Sequence, residues 1–466
     1  MKNRKVSPKR KFQFFLTFII LIFFSFCKNP SLENPCDSNQ AGYYEILLSK
    51  IFSGNTSNHC GANINKVFTP IFSPSPGHYL EPNFISITTF TPGASIYITT
   101  DGSTPNINST PYLSPSSIWR LAGQRIRAIA IKVGMEDSAI AEGTYSILPL
   151  KTGQTISFAI GDDASIASGL NVNYDAPKAD TNFPNDYTTF DQSTGILWKT
   201  CSEGLSGPTC AINSPGVTTG SFATLNTSCL ALNSANSGKG YAGFTSWRLP
   251  TMKELLSTND ASKTSVTIFN QSALPATVNF AYWASTPYPP NLSDAWYLDY
   301  SNSNSYATTN SNPYHGRCVA SLPPIETLTY QDNGDGTVED NATGLTWQKC
   351  SYGQNNDSSC SLPANALDWI SAITYCNGLT LGGRVWKLPN RNELSSLHDY
   401  TKAVGPKIDQ TFFPNTVTSA GGYYWTSTTN APGTTSAWYV NFTTTFNNIY
   451  DVHPKSNTLY VRCVSR

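Results

Sequence analysis

The sequence predicts a multidomain chain. An immunoglobulin-like β-sandwich over 70–148 is followed by two disulfide-bonded α+β domains, 149–322 and 323–466, all behind a leader and a tether. Three observations predict this. Apolar and polar residues alternate in "FISITTF", "SIYITT" and "RIRAIAIKV", the period of half-buried strands. Beyond residue 189 a quartet of cysteines occurs twice with closely matched spacing. Finally, "TSWRLPTMKELLS" at 245–257 returns 139 residues later as "RVWKLPNRNELSS" at 384–396.

The leader comes first. Lys2, Arg4, Lys5, Lys9, Arg10 and Lys11 precede "FQFFLTFIILIFFSF", an apolar run shorter than the roughly 20 residues of a membrane-spanning helix. This is the anatomy of a secretory signal peptide, residues 1–27, so the chain is expected to be exported. Cys27 ends the run and is followed by the polar stretch "KNPSLENPCDSNQ". That junction resembles the lipobox of bacterial lipoproteins, implying lipidation at Cys27 and an anchor in the outer membrane or at the cell surface. Phe26 stands where a lipobox has a small residue, and an uncleaved N-terminal anchor is the other reading.

Six of the 30 basic residues lie in the leader and none of the 30 acidic ones do, so the remaining chain carries a net charge of −6. No segment has the positive field that nucleic-acid binding requires, and that partner class is excluded. Only 13% of residues are charged, a composition of extracellular β-rich proteins.

Residues 28–69 form the tether. Of eleven cysteines, Cys27 is set apart and ten remain, an even number in a compartment where disulfides persist. Cys36 and Cys60 are left to pair within the tether. In the sandwich, turns are expected at Pro92–Gly93 and Asp101–Gly102 between about seven strands.

The two C-terminal units hold the other eight cysteines. Cys201, Cys210, Cys229 and Cys318 are separated by 9, 19 and 89 residues; Cys350, Cys360, Cys376 and Cys463 by 10, 16 and 87. Four cysteines allow three connectivities. The expected one is a short bridge, Cys201–Cys210 or Cys350–Cys360, plus a long one, Cys229–Cys318 or Cys376–Cys463. Each long loop would gain on the order of 4 kcal/mol from its cross-link in the chain-entropy model. No Cys-x-x-Cys and no twinned His argues for a metal or another cofactor. "TFDQSTGILWKTC" aligns without a gap on "VEDNATGLTWQKC", and "YWAST", "AWYLDY" and "RCV" parallel "YWTST", "AWYVNF" and "RCV". A domain has been duplicated in tandem.

Within the repeated signature, Thr251 with Glu254 and Asn390 with Glu393 fit capping boxes at the start of short helices, each after a proline. A catalytic carboxylate would need a titratable partner, and the twinned candidates are Asp191 and Asp340, in segments that read as turns. No catalytic residue is assigned. A second helix is expected in each unit, over "ALDWISAITYCNG", ended by Gly378, and over its counterpart "SFATLNTSCLALN", with strands downstream. "DNGDGTVED" at 332–340 places glycines where an EF-hand needs ligands and reads as a hairpin.

On these residues the duplicated unit resembles the Lcl C-terminal domain family. The second copy carries "DNGDGTVEDNATGLTWQKC", "WKLPNRNELSSL", "YYWTSTT", "AWYVNF" and "YVRCV"; the first carries "STGILWKTC", "WRLPTMKELLS", "YWAST", "AWYLDY" and "RCV". A helix cysteine bridged to the last strand, with Trp-x-Leu-Pro between, is also similar to C-type lectin-like folds, whose calcium-dependent sugar motifs both units lack. Residues 72–147 resemble the β-sandwich domain found beside chitobiase and hexosaminidase-type hydrolases, where it is an accessory or spacer.

The resemblance implies a surface-displayed adhesion module for glycans or extracellular-matrix glycoproteins, with the sandwich as a stalk and the tandem pair as a bivalent head. The alternatives are a structural envelope protein contacting other bacterial surface components and, least supported by the residues, a glycan-active enzyme. The twinned Trp198/Trp347, Trp247/Trp386, Trp283/Trp425 and Trp296/Trp438 are expected in the core rather than on a sugar platform.

Overall fold

A computed structural model describes residues 65–466 except 80–84, 101, 113–123, 214–217, 266–267, 269, 321–329, 401, 403–405, 420 and 444–447. The leader and its Cys27, and Cys36 and Cys60 of the tether, lie outside the described residues. The chain is multidomain and mostly β-sheet, and no described helix exceeds ten residues or is long and apolar enough to cross a membrane.

Among the described residues, seven strands fall within 71–147. Ile71–Ser73 pairs antiparallel with Ser86–Thr88, and a second sheet runs Gly77–Tyr79, Ala141–Ile147, Gln124–Ile131, Ser95–Thr99, Thr110–Pro111. The alternation seen in the sequence is the reason they face each other. Phe72 and Ile87 from the small sheet and Ile96, Ile98, Ile126 and Ala128 from the large one point into one core.

The duplication extends to topology. In the first unit one five-stranded sheet runs Lys178–Ala179, Tyr187–Asp191, Ile196–Lys199, Val319–Ala320, Trp247–Arg248. Its counterpart in the second unit runs Tyr330–Asp332, Thr337–Asp340, Leu345–Gln348, Val464–Ser465, Trp386–Lys387. The other sheet of the first unit contains β1 (Ala281–Pro287), β2 (Asp294–Asp299) and β3 (Asn304–Thr309); that of the second contains β4 (Tyr423–Thr429), β5 (Ser436–Asn441) and β6 (Tyr450–Pro454). Even the register shift recurs, after Trp283 in β1 and after Trp425 in β4.

Five helices are used below: α1 (Asp163–Ile166), α2 (Phe222–Ala231), α3 (Met252–Leu256), α4 (Trp369–Gly378) and α5 (Arg391–Ser395). Ser221 and Asp368 cap α2 and α4, accepting from Thr224 N and Ser371 N. α4 ends at Gly378, and Leu379 is already extended.

The two units are not separate bodies. One core cluster joins Trp198, Trp296 and Leu298 of the first to Trp347, Trp438 and Val440 of the second. Trp296 packs edge-on against Tyr400 at 5.7 Å and lies 6.4 Å from His398. The outer strands of the two sheets meet as well: β3 lies beside β6, and Tyr306 bridges antiparallel to Asn448. Each unit thereby covers the other's open sheet edge.

A strap, residues 149–170, runs between the sandwich and the first unit and lies across both units. Ala261 N donates to Thr152 O at 2.8 Å on one side; Asn392 Nδ2 donates to Leu150 O at 2.9 Å on the other. Gln154 exchanges two hydrogen bonds with the Thr429 backbone, at 2.8 and 2.9 Å. The strap fits only as glycine at three points, one being Gly169, where a Cβ would lie 2.6 Å from Pro149 O. A Cβ on Gly153 would lie 2.0 Å from Asp260 Oδ1, and one on Gly161 2.1 Å from Asn377 Nδ2.

Candidate binding surface

The eight repeat cysteines form four disulfides, Cys201–Cys210, Cys229–Cys318, Cys350–Cys360 and Cys376–Cys463. The long bridge of each unit ties its longest helix to the segment leading into its last strand. Glu203 lies within ligand reach of Cys229 and Cys318, but those two sulfurs are bonded to each other, so the cluster offers no thiolate to a metal.

Both signatures start helices. Thr251 Oγ1 accepts from Glu254 N at 3.3 Å while Thr251 N donates to Glu254 Oε2 at 2.7 Å; Asn390 and Glu393 repeat the exchange at 2.8 Å in both directions. The basic residue of each signature has a role that sequence reasoning missed. The Arg248 fork reaches both oxygens of Glu254 at 2.7 Å, while Lys387, a point donor, reaches only Oε2 of Glu393. The free Oε1 of Glu393 accepts from Ser168 Oγ of the strap at 2.6 Å. Both carboxylates are buried and committed to cap and counter-ion.

Asp191 and Asp340 are buried at turns. Asp191 accepts from Ser193 N and Thr194 Oγ1, Asp340 from Ala342 N and Thr343 Oγ1. Burial pushes Asp191 up to about 6 and Asp340 in the same direction. "DNGDGTVED" is a hairpin, Tyr330–Asp332 against Thr337–Asp340, with Asp332 paired to Lys349 at 2.6 Å. The arginines of the two "RCV" motifs are also internal. Arg317 Nη2 donates to Ser202 and Thr277, Arg462 Nη2 to Ser351 and Thr416, each joining the loop after the short disulfide's first cysteine to the last strand.

All eight twinned tryptophans are buried. Their strand neighbours are a different matter, because successive side chains on a strand point to opposite faces. In β2, Trp296 and Leu298 enter the shared core, so Ala295, Tyr297 and Asp299 lie on the opposite face; in β5, Trp438 and Val440 enter it while Ala437, Tyr439 and Asn441 lie on the opposite face, where Ala295, Ala437, Tyr439 and Asn441 are themselves buried and only Tyr297 and Asp299 are partly exposed. Cross-strand pairing carries that face from Tyr297 to Tyr306 on β3 and from Tyr439 to Asp451 on β6.

The outcome is an aromatic shelf across the seam. On the first unit, Tyr297 lies 4.7 Å from Tyr314 and 5.6 Å from Tyr306, and all three are partly exposed. On the second, partly exposed Tyr423 lies 4.5 Å from Tyr439, which is 6.0 Å from His453. α2 and α4 pack at the two ends of the shelf, over Trp283 and Trp425. Burial raises the phenols of Tyr306 and Tyr439, and the Asp451 carboxylate raises both further, so one charge acts on tyrosines of both units. The sequence signal for Tyr297 and Tyr439 is the alternation within "AWYLDY" and "AWYVNF", which sets each tyrosine on the face opposite its neighbouring tryptophan.

A family model for the chitobiase/β-hexosaminidase C-terminal domain matches residues 74–142. A model for the Lcl C-terminal domain matches twice, over 187–320 and 336–465. No curated protein matches the chain. With two copies that together span more than half of its length, the chain belongs to the Lcl C-terminal domain family.

Proposed function

We propose that this protein is an exported, surface-displayed binding protein, lipid-anchored at Cys27, that recognises glycans or extracellular-matrix glycoproteins without chemically altering them. The sandwich, read as immunoglobulin-like, serves as a stalk. The paired units, read as C-type lectin-like α+β folds, serve as the head. The observation that carries the reading is the set of partly exposed tyrosines beside the seam, Tyr297, Tyr306, Tyr314 and Tyr423. Tyrosine gives a large apolar area with a polar tip at low entropic cost, the composition of recognition surfaces. The twinned glutamates support a non-enzymatic role, since each is held by its helix cap and counter-ion.

The test is binding of the purified, oxidised mature chain to an array of glycans and matrix proteins at two salt concentrations. Selective binding supports the proposal, and no binding to any member defeats it. A second reading, an envelope protein that contacts other bacterial components, draws on the exposed Ile156, Phe158 and Ile160 of the strap, 68%, 39% and 94% accessible. Co-purification with outer-membrane proteins through high salt, lost on replacing these three by serine, would favour it.

A further inference from the structure

We propose that the seam between β3 and β6 is a single composite site for an uncharged, hydroxyl-rich oligosaccharide, completed only when both units contribute. The inference rests on the binding function proposed above and names its ligand class.

Geometry makes the site composite. The shared core and the Tyr306–Asn448 bridge fix the two sheets edge to edge. The face of β2 and β3 opposite the shared core therefore continues into that of β6, with Asp451 beside Tyr306, as one face. Tyr297 and Tyr306 supply partly exposed rings from the first unit, and Tyr423, packed on the buried Tyr439, supplies one from the second. Between them lie two partly exposed polar groups: Asp451 is acceptor-only, while the Asn448 amide both donates and accepts. A sugar ring presents an apolar C–H face and a rim of hydroxyls that donate and accept. It would stack on the tyrosines and exchange hydrogen bonds with the Asn448 amide and the Asp451 carboxylate, the latter accepting with the strength of a charge-assisted bond.

Charge decides the class. The segments "DAWYLD", "NSYATT", "SAWYVN" and "YDVHP" that make β2, β3, β5 and β6 contain three aspartates and no lysine or arginine. Sulfated or uronic-acid chains would meet only like charge there, whereas a neutral chain meets no repulsion and loses little to added salt.

The experiment uses the full mature chain, oxidised, with immobilised neutral hexose and N-acetylhexosamine oligosaccharides, a sulfated glycosaminoglycan and a lysine-rich peptide as probes. Binding to a neutral oligosaccharide that survives a tenfold rise in salt is expected. Tyr306→Ala on the first unit and Asp451→Asn on the second should each weaken it by roughly tenfold, about 1.4 kcal/mol. Tyr306→Trp, which keeps a ring on the shelf, should retain it. Melting temperatures of the variants separate lost binding from lost folding, and Tyr306→Trp with Asp451→Asn serves if Tyr306→Ala unfolds. Neutral-glycan binding unchanged in these variants overturns the composite shelf and leaves the wider binding function standing. Preference of the wild type for the sulfated chain or the peptide overturns the ligand class. Absence of binding to every probe and every array member overturns both readings.

Discussion

Glu393→Gln offers the sharpest test of the repeated signature, because the substitution keeps the side chain's shape and removes only its charge. In the wild type, Glu393 is 1% exposed and accepts from Asn390 N, Lys387 Nζ and Ser168 Oγ. Lys387 is itself only 13% exposed, so the neutral variant strands an ammonium in a poorly solvated place. Removing one partner of a buried pair costs about 3–5 kcal/mol. The amide still accepts one bond, so the lower end, about 3 kcal/mol, is expected. Ser168→Ala removes a hydrogen bond to a charged acceptor and should cost about 1.5 kcal/mol alone, but much less in the Glu393→Gln background, since both act through one oxygen pair. The assay is denaturant unfolding of the oxidised chain followed by tryptophan fluorescence, with the double-mutant cycle measured in parallel. A Glu393→Gln variant within about 0.5 kcal/mol of wild type, or more stable than it, would refute the structural role, because that is the behaviour of a carboxylate held in strain for function.

Three further outcomes are expected. Asp163 of α1 is buried between Thr152 Oγ1 at 2.5 Å and Thr428 Oγ1 at 2.7 Å, and burial raises it from 3.8 to about 6. Its protonated form therefore favours folding fully below pH 3.8, and that contribution is lost as pH rises through 6; Asp163→Asn should gain on the order of 2 kcal/mol over wild type at pH 7 and nothing at pH 3.5, read by urea midpoints. His398 is buried beside Trp296, and burial, with Lys407 and Lys253 near, pushes it down from 6.5 to about 3. Stability from its neutral form is complete above pH 6.5 and drains away as pH falls through 3, so His398→Phe should flatten the acid limb of a stability–pH profile across that window. Replacing Cys376 and Cys463 together by alanine should cost on the order of 4 kcal/mol and replacing Cys350 and Cys360 about 3 kcal/mol, because the longer loop regains more entropy on release; equal midpoints would contradict the chain-entropy account.

How much of this was legible in the sequence follows from the range of each interaction. Caps are local, so Thr251 with Glu254 and Asn390 with Glu393 could be read from three-residue spacing. Repeated cysteines announced themselves by number and interval. The counter-ion role of Arg248 and Lys387 spans six residues across a proline turn, and only the invariant basic position of the repeat hinted at it. The strap lay beyond reach, since Ser168 meets Glu393 across 225 positions and Gln154 meets Thr429 across 275. A single sequence encodes no pairing at that separation. The sheets proved more prominent than the helices because the apolar run that starts each short helix ends within five or ten residues, whereas β1, β4 and β5 each bury at least one face along their length.

Duplication had also suggested two heads free to engage separately, and the packing of the pair argues for a different consequence. Independent heads require a linker that lets each unit turn, but Trp296 and Trp438 lie in one core and the strap is hydrogen-bonded to both units. Avidity from effective concentration then gives way to preorganisation, with the sheet faces held at one angle before any ligand arrives. The divergence between the copies fits this division of labour. Tyr306 pairs with Tyr297 on the first unit, whereas the partner of the equivalent Tyr439 is Asp451. Two independent copies of one site would call for the same residue at both places; a single face spanning the seam calls for a ring on one side and an acceptor on the other.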